Sequence, residues 1–238
     1  MTRRELLALA ALGFARCESA WSGIPAGRLT SRPTTTDSPL VPGLHRLQLE
    51  REALLYVPQN HRGHLSLVLH GAHGHPERIL NTFRPEADEF AVALVAPKSR
   101  DLTWDAIQGR FASDLPFIDA ALSAAFRRCV IDRAHLAVSG FSDGATMALA
   151  LGVANGDLFT HVLAFSPGFL IPLRRVGAAR YFLSHGTQDD ILPIDHTRQI
   201  VRDLRRANLD AHLREFDGGH TVPPEVAREG FAWFAPHP

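Results

Sequence analysis

From residue 45 onward, short apolar runs alternate with stretches in which apolar residues recur three and four positions apart. The runs at 65–71 (LSLVLHG), 91–97 (AVALVAP), 134–140 (AHLAVSG), 161–167 (HVLAFSP) and 180–186 (RYFLSHG) are almost continuously apolar. Strands buried on both faces of a sheet read this way. The stretches at 77–90, 114–129, 143–156, 194–207 and 225–234 carry the helical spacing. Pro116 falls in the first turn of one helix and Gly156 stops another. Ahead of these units, 45–58 (HRLQLEREALLYVP) gives two short strands with alternation, a hairpin pattern, and 211–219 (AHLREFDGG) gives a late strand with its exit turn. Strand–helix alternation with fully apolar strands predicts one α/β domain. Its sheet should be mostly parallel and doubly wound, with helices on both faces and an antiparallel edge from the hairpin.

The first 43 residues follow neither rhythm. Arg3 and Arg4 precede a short apolar run, in the layout of an export signal over residues 1–20, and TRREL resembles the twin-arginine motif. The run is too short to span a membrane, which takes about twenty residues. The alternative is an amphipathic first helix of a cytoplasmic protein. Residues 21–43, dense in Gly, Pro, Ser and Thr, read as a linker, which leaves 44–238 as the folded domain. The chain has 25 basic and 25 acidic residues, and neither sign is blocked together as a phosphate backbone or an anionic membrane would require. We therefore expect no nucleic-acid partner and no stable membrane insertion. Two cysteines, Cys17 and Cys129, form no metal-type spacing and no disulfide framework.

Candidate chemistry centres on residues 138–146, VSGFSDGAT. Ser142 lies between a buried strand and a helix, with Gly140 and Gly144 two positions to either side. Where a strand reverses sharply into a helix, backbone segments approach closely and the flanking side chains must be minimal. This is the strand–turn–helix setting of a nucleophile elbow, G-x-S-x-G; the competing reading is a serine N-cap. A serine hydroxyl needs a general base, and the base needs a group to orient it. An acid, Asp189 or Asp190 in HGTQDD after one strand, and His220, in GGHTVPPE after the next, supply both in the order that fold requires. Gly218 and Gly219 are expected to let the chain turn sharply into His220. An oxyanion hole would draw one backbone N–H from Asp143 and another from the loop HGAHG, for which Ala72 is the candidate, with His70 shaping the loop.

The segments LHGAHG (69–74), TWD (103–105), SGFSDG (139–144), HGTQDDILP (185–193) and GGHTVPPE (218–225) resemble an α/β-hydrolase of the bacterial phospholipase/carboxylesterase type, related to the dienelactone hydrolases. The resemblance implies an α/β-hydrolase fold and a serine esterase that works through an acyl-enzyme. It assigns the acid to Asp189, four residues after His185, and leaves Asp190 facing solvent. Dienelactone hydrolases use cysteine where this chain has Ser142. The oxyanion loop departs from the family in reading AHGH where glycines are usual. Only about a dozen residues separate AFSPG from RYFLSHG, too few for a lid domain. An open site for short-chain esters follows.

The other candidate groups have plainer readings. His70, His73 and His75 lack the acidic or thiol partner of a metal site and fit a pocket rim, so no metal and no cofactor is expected. His185 precedes the acid and fits a structural hydrogen bond better than a base. Trp104 and Asp105 either line the pocket or, for Asp105, cap a helix. The expected partner is a small-molecule ester. A different class of function, a ligand-binding protein that keeps the fold without catalysis, is the alternative.

Overall fold

The computed structural model describes residues 27–36 and 39–235; the export-signal segment lies outside them. The chain lays down β1 (Gly43–Arg46), β2 (Ala53–Val57) and β3 (His64–Leu69). It then alternates α1 (Pro76–Phe90), β4 (Val92–Pro97), α2 (Asp114–Arg128), β5 (Leu136–Phe141), α3 (Asp143–Ala154) and β6 (His161–Phe165). It ends with β7 (Arg180–Gly186), α4 (Ile194–Arg206), β8 (Ala211–Phe216) and α5 (Pro224–Phe234). The eight strands form one sheet in the order β1-β2-β4-β3-β5-β6-β7-β8. The β1–β2 and β2–β4 pairs are antiparallel and every later pair is parallel. The apolar strands occupy the parallel centre because both of their faces are covered. On one face α2, α3 and α4 bury Phe126, Met147 and Leu204 against the sheet. On the other, α1 and α5 bury Phe83 and Phe231.

Two features bear on the site. Residues 166–179, between β6 and β7, contain no helix, and Leu170, Ile171 and Leu173 tuck back into the core. No lid domain stands over the carboxyl ends of the strands among the described residues.

The segment read from sequence as a linker is bound down where it is described. Leu29 is 2% exposed and joins the core. Its amide donates to Asn155 Oδ1 at 2.8 Å, and Asn155 Nδ2 donates to the carbonyl of Gly27 at 2.7 Å. Arg28 and Arg32 both pair with Asp157, and the amides of Thr30 and Ser31 donate to Asp119. One inserted apolar side chain, with partners for the polar groups around it, makes this stretch a strap.

Candidate active site

The parallel strands point their carboxyl ends to one edge, and three loops at that edge carry the candidate residues. Ser142 follows β5 directly, with φ 56° and ψ −120°. Side chains with a Cβ avoid this backbone region, at a cost on the order of 1–3 kcal/mol, and it persists only where the surroundings impose it. Here the surroundings are close-packed backbone. A Cβ on Gly140 would lie 2.3 Å from the carbonyl oxygen of Gly144, and one on Gly144 would lie 2.1 Å from that of Leu69. The Ser142 amide donates to Phe165 O at 2.9 Å, which holds the elbow against the neighbouring strand.

His220 and Asp189 meet Ser142 from the loops after β8 and β7. Ser142 Oγ lies 2.9 Å from His220 Nε2, and His220 Nδ1 lies 2.6 Å from Asp189 Oδ2. With Nδ1–H donating to the carboxylate, Nε2 is left to accept the serine proton. The Thr187 amide donates to Phe216 O and that of Gln188 to Gly218 O, so the two loops are zipped together. The chain bends over residues 217–221, at the Gly218–Gly219 pair expected to turn it into His220, although neither glycine takes a positive φ. The glycine this junction requires is Gly186, where a Cβ would lie 2.3 Å from Gly218 O and 2.4 Å from Gly219 O.

Asp189 has a buried side chain, whereas Asp190 is exposed. The amides of Ile191 and Leu192 donate to Asp189 Oδ1 at 2.9 and 2.8 Å. Burial alone would raise this carboxyl; the Leu192 amide, the His220 imidazole and the Ile191 amide together hold it below the ordinary carboxylate range. It is an anion at neutral pH. His185, fully buried, keeps the structural role expected of it. Its Nε2–H donates to Leu192 O at 2.9 Å and leans on Asp189 Oδ2 at 3.1 Å, while Thr197 Oγ1 donates to its Nδ1. Burial lowers its pKa, which keeps it neutral.

The loop after β3 packs against the elbow: a Cβ on Gly71 would lie 3.2 Å from Ser142 Cβ. The amides of His73 and Gly74 are committed to Leu102 O and Gly71 O; that of Ala72 has no hydrogen-bond partner among the described residues. Asp143 opens α3, with its carboxylate accepting from Thr103 Oγ1 at 2.7 Å. Beneath the loop, His70 is 1% exposed, and burial lowers its pKa to about 4. Its Nδ1–H donates to Gly71 O, its Nε2 accepts from the Ser99 amide, and its carbonyl accepts from Trp104 Nε1. Trp104 is fully buried under this ring, and Asp105 accepts from the amides of Ser113 and Asp114 at the start of α2. Both shape the scaffold.

A cavity of about 340 Å³ opens beside the triad, lined in part by Ala72, Arg78, Ile79, Phe141, His220 and Val222. Phe141 lies against His220, with ring centroids 4.8 Å apart. Sequence reasoning did not single out Phe141, Arg78, Ile79 or Val222. The helical period of α1 was visible, but which turn of it borders the site depends on how the helix docks across β3 and β4.

The family model for phospholipases and carboxylesterases matches residues 105–229, more than half of the chain. The chain belongs to this phospholipase/carboxylesterase family. Within curated proteins, this carboxylesterase-family chain is similar to a probable feruloyl esterase C of Aspergillus oryzae. The two are 29% identical over 174 residues, covering 66% of this chain and 61% of the relative, so the chain spans less than two thirds of that protein's length. Solved structures with the same fold include esterase PE8, at TM-score 0.63 and 20% identity over 80% of this chain and 97% of that one. The Bacillus cereus carboxylesterase aligns at TM-score 0.62 and 17% identity, covering 79% and 94% of the two chains.

Proposed function

We propose that this member of the family hydrolyses carboxylic esters through a covalent acyl-enzyme on Ser142. The observation that carries the reading is the hydrogen-bonded relay from Ser142 Oγ to His220 Nε2, and from His220 Nδ1 to Asp189. Ser142 Oγ attacks the ester carbonyl carbon as its proton passes to Nε2. Negative charge develops on the carbonyl oxygen, where the amides of Ala72 and Asp143 donate to it. The imidazolium, steadied by the Asp189 anion, protonates the departing alcohol. Water then attacks the acyl carbon as it gives a proton to Nε2, and the Ser142 Oγ–carbon bond breaks as Nε2 returns that proton to Ser142 Oγ and the acid leaves. Loss of a fluorophosphonate adduct on Ser142→Ala, with a stoichiometric adduct on the unaltered chain, tests the nucleophile. No adduct on the folded unaltered chain would favour the non-catalytic binding alternative.

The acyl group is proposed to be short or compact. The cavity lies toward the small end of ligand sites, roughly 300–1,000 Å³, and no lid domain among the described residues extends it. A flat aromatic acyl group is the second reading, favoured by Phe141 in the cavity wall and by the feruloyl esterase name of the Aspergillus relative. Rates on nitrophenyl acetate, butyrate and decanoate beside methyl ferulate separate these readings; a preference for decanoate would refute both.

A further inference from the structure

At the edge of the sheet opposite the triad, two imidazoles and a carboxylate converge. His64 opens β3, and the parallel register that pairs Leu65 with Leu136 brings His135 alongside it. The two rings lie 4.3 Å apart between centroids. Asp132 reaches the same place from the turn before β5. Its Oδ1 accepts from the Ala134 amide at 2.9 Å, and its Oδ2 lies 2.6 Å from His135 Nδ1. The turn is anchored to the foot of β3 by the Asp132 amide, which donates to Gly63 O at 2.9 Å. One ligand-capable atom from each of the three side chains lies within 4.8 Å of the other two.

A second observation sets this cluster apart from an ordinary histidine pair. His64 Nδ1 is buried and has no hydrogen-bond partner among the described residues. A buried ring nitrogen left without a partner costs free energy, and such groups call for an explanation such as an unseen ion. The other histidine cluster, near the oxyanion loop, offers no comparable group: both ring nitrogens of His70 are already bonded.

We propose that His64, Asp132 and His135 form a binding site for a divalent transition-metal ion, of the Zn²⁺ class, at the amino-terminal edge of the sheet. Two imidazole nitrogens and one carboxylate oxygen form a donor set suited to zinc, nickel or copper. Ligand distances of 2.0–2.2 Å place the donor atoms of a tetrahedral ion about 3.4 Å apart, which small side-chain rotations would reach. Asp132 is exposed, so water has access to the fourth position. The ligand nitrogens must be unprotonated to bind the ion, so binding should weaken as pH falls. The ion would tie the foot of β3 to the turn that launches β5. Its effect should fall on stability and leave the chemistry at the far ends of those strands unchanged.

The test uses the full chain, stripped with EDTA, dialysed and titrated with zinc sulfate by calorimetry and by thermal unfolding. We expect one Zn²⁺ per chain and, at zinc a hundredfold above Kd, a rise in Tm of about 5 to 10 °C. Fluorophosphonate labelling of Ser142 should be unaffected. His64→Gln should lose at least tenfold in affinity. The exposed Asp132→Asn, which leaves the core untouched, should do the same and covers the case in which His64→Gln fails to fold. No heat and no Tm shift up to millimolar zinc overturns the proposal. So does binding that survives Asp132→Asn, or binding that is lost instead in His220→Gln.

Discussion

Replacing Asp189 by asparagine asks one side chain to do two incompatible things. Asp189 Oδ1 accepts two backbone amides, and Oδ2 faces His220 Nδ1 and His185 Nε2. An asparagine has one acceptor oxygen. If that oxygen keeps the Ile191 and Leu192 amides, its NH₂ faces His220 and drives the imidazole into the tautomer with the proton on Nε2. That nitrogen can then no longer take the proton of Ser142. If the amide flips, its NH₂ confronts two backbone N–H donors, at about 1–3 kcal/mol for each donor left unpaired. The first orientation preserves the fold and disables the base. The serine protease precedent for this substitution is a loss of about ten-thousandfold in kcat, or about 5 kcal/mol of transition-state stabilisation. Asp189 does not border the cavity, so KM should change little. Asp190→Asn, on an exposed side chain, should cost tenfold or less through its field alone. Initial rates on nitrophenyl acetate for both variants, with circular dichroism as the folding control, decide the matter. If Asp189→Asn keeps a tenth of the activity while Asp190→Asn is silent, the acid has been misassigned.

Other outcomes follow from packing and burial. Alanine at Gly144 or Gly140 forces a Cβ to within 2.1 or 2.3 Å of a backbone oxygen and should cost about 3 kcal/mol or more, or prevent soluble expression. Gly219→Ala, whose Cβ would meet nothing closer than 3.9 Å, should stay within roughly 0.5 kcal/mol; equal tolerance at all three in urea unfolding would contradict the elbow geometry. His70 and His161 are both lowered by burial to about 4. Their unfolded forms, at about 6.5, bind more protons, so this contribution is complete above pH 6.5 and lost as pH falls toward 4, by on the order of 3 kcal/mol each. Urea midpoints at pH 7.5 and 4.5 should differ accordingly, and equal midpoints would refute the assignment. Leu29→Ala should lower stability by about 2–5 kcal/mol; a change within error would mean that the strap does not support the core.

The sheet and the meeting of Ser142, His220 and an acid at its edge were legible for a common reason: both are written in local signals. Doubly buried strands show as apolar runs, and each triad residue stands just past such a run with the residue type its task needs. What stayed hidden depends on partners far away in the chain. Leu29 looked like linker because its contribution rests on Asn155, 126 residues on. Gly186 looked ordinary because the backbone that crowds it belongs to the Gly218–Gly219 loop. His64 is brought to Asp132 and His135, at the foot of β5, only by strand register. Asp105 could equally have lined the pocket or capped a helix until the start of α2 was seen to use its carboxylate.

The strap also changes where the folding unit should be cut. The family match begins at residue 105, and hydrophobic rhythm alone would begin the domain near residue 44. An expression plasmid designed to either boundary would discard Leu29 and the two arginines that clamp Asp157, and would expose the apolar end of α3 that Leu29 covers. Sequence kinship marks what relatives share, whereas cooperative unfolding includes whatever this chain buries. Recombinant protein beginning ahead of Gly27 should therefore melt in one transition, and protein beginning at residue 44 should invite aggregation through the uncovered patch.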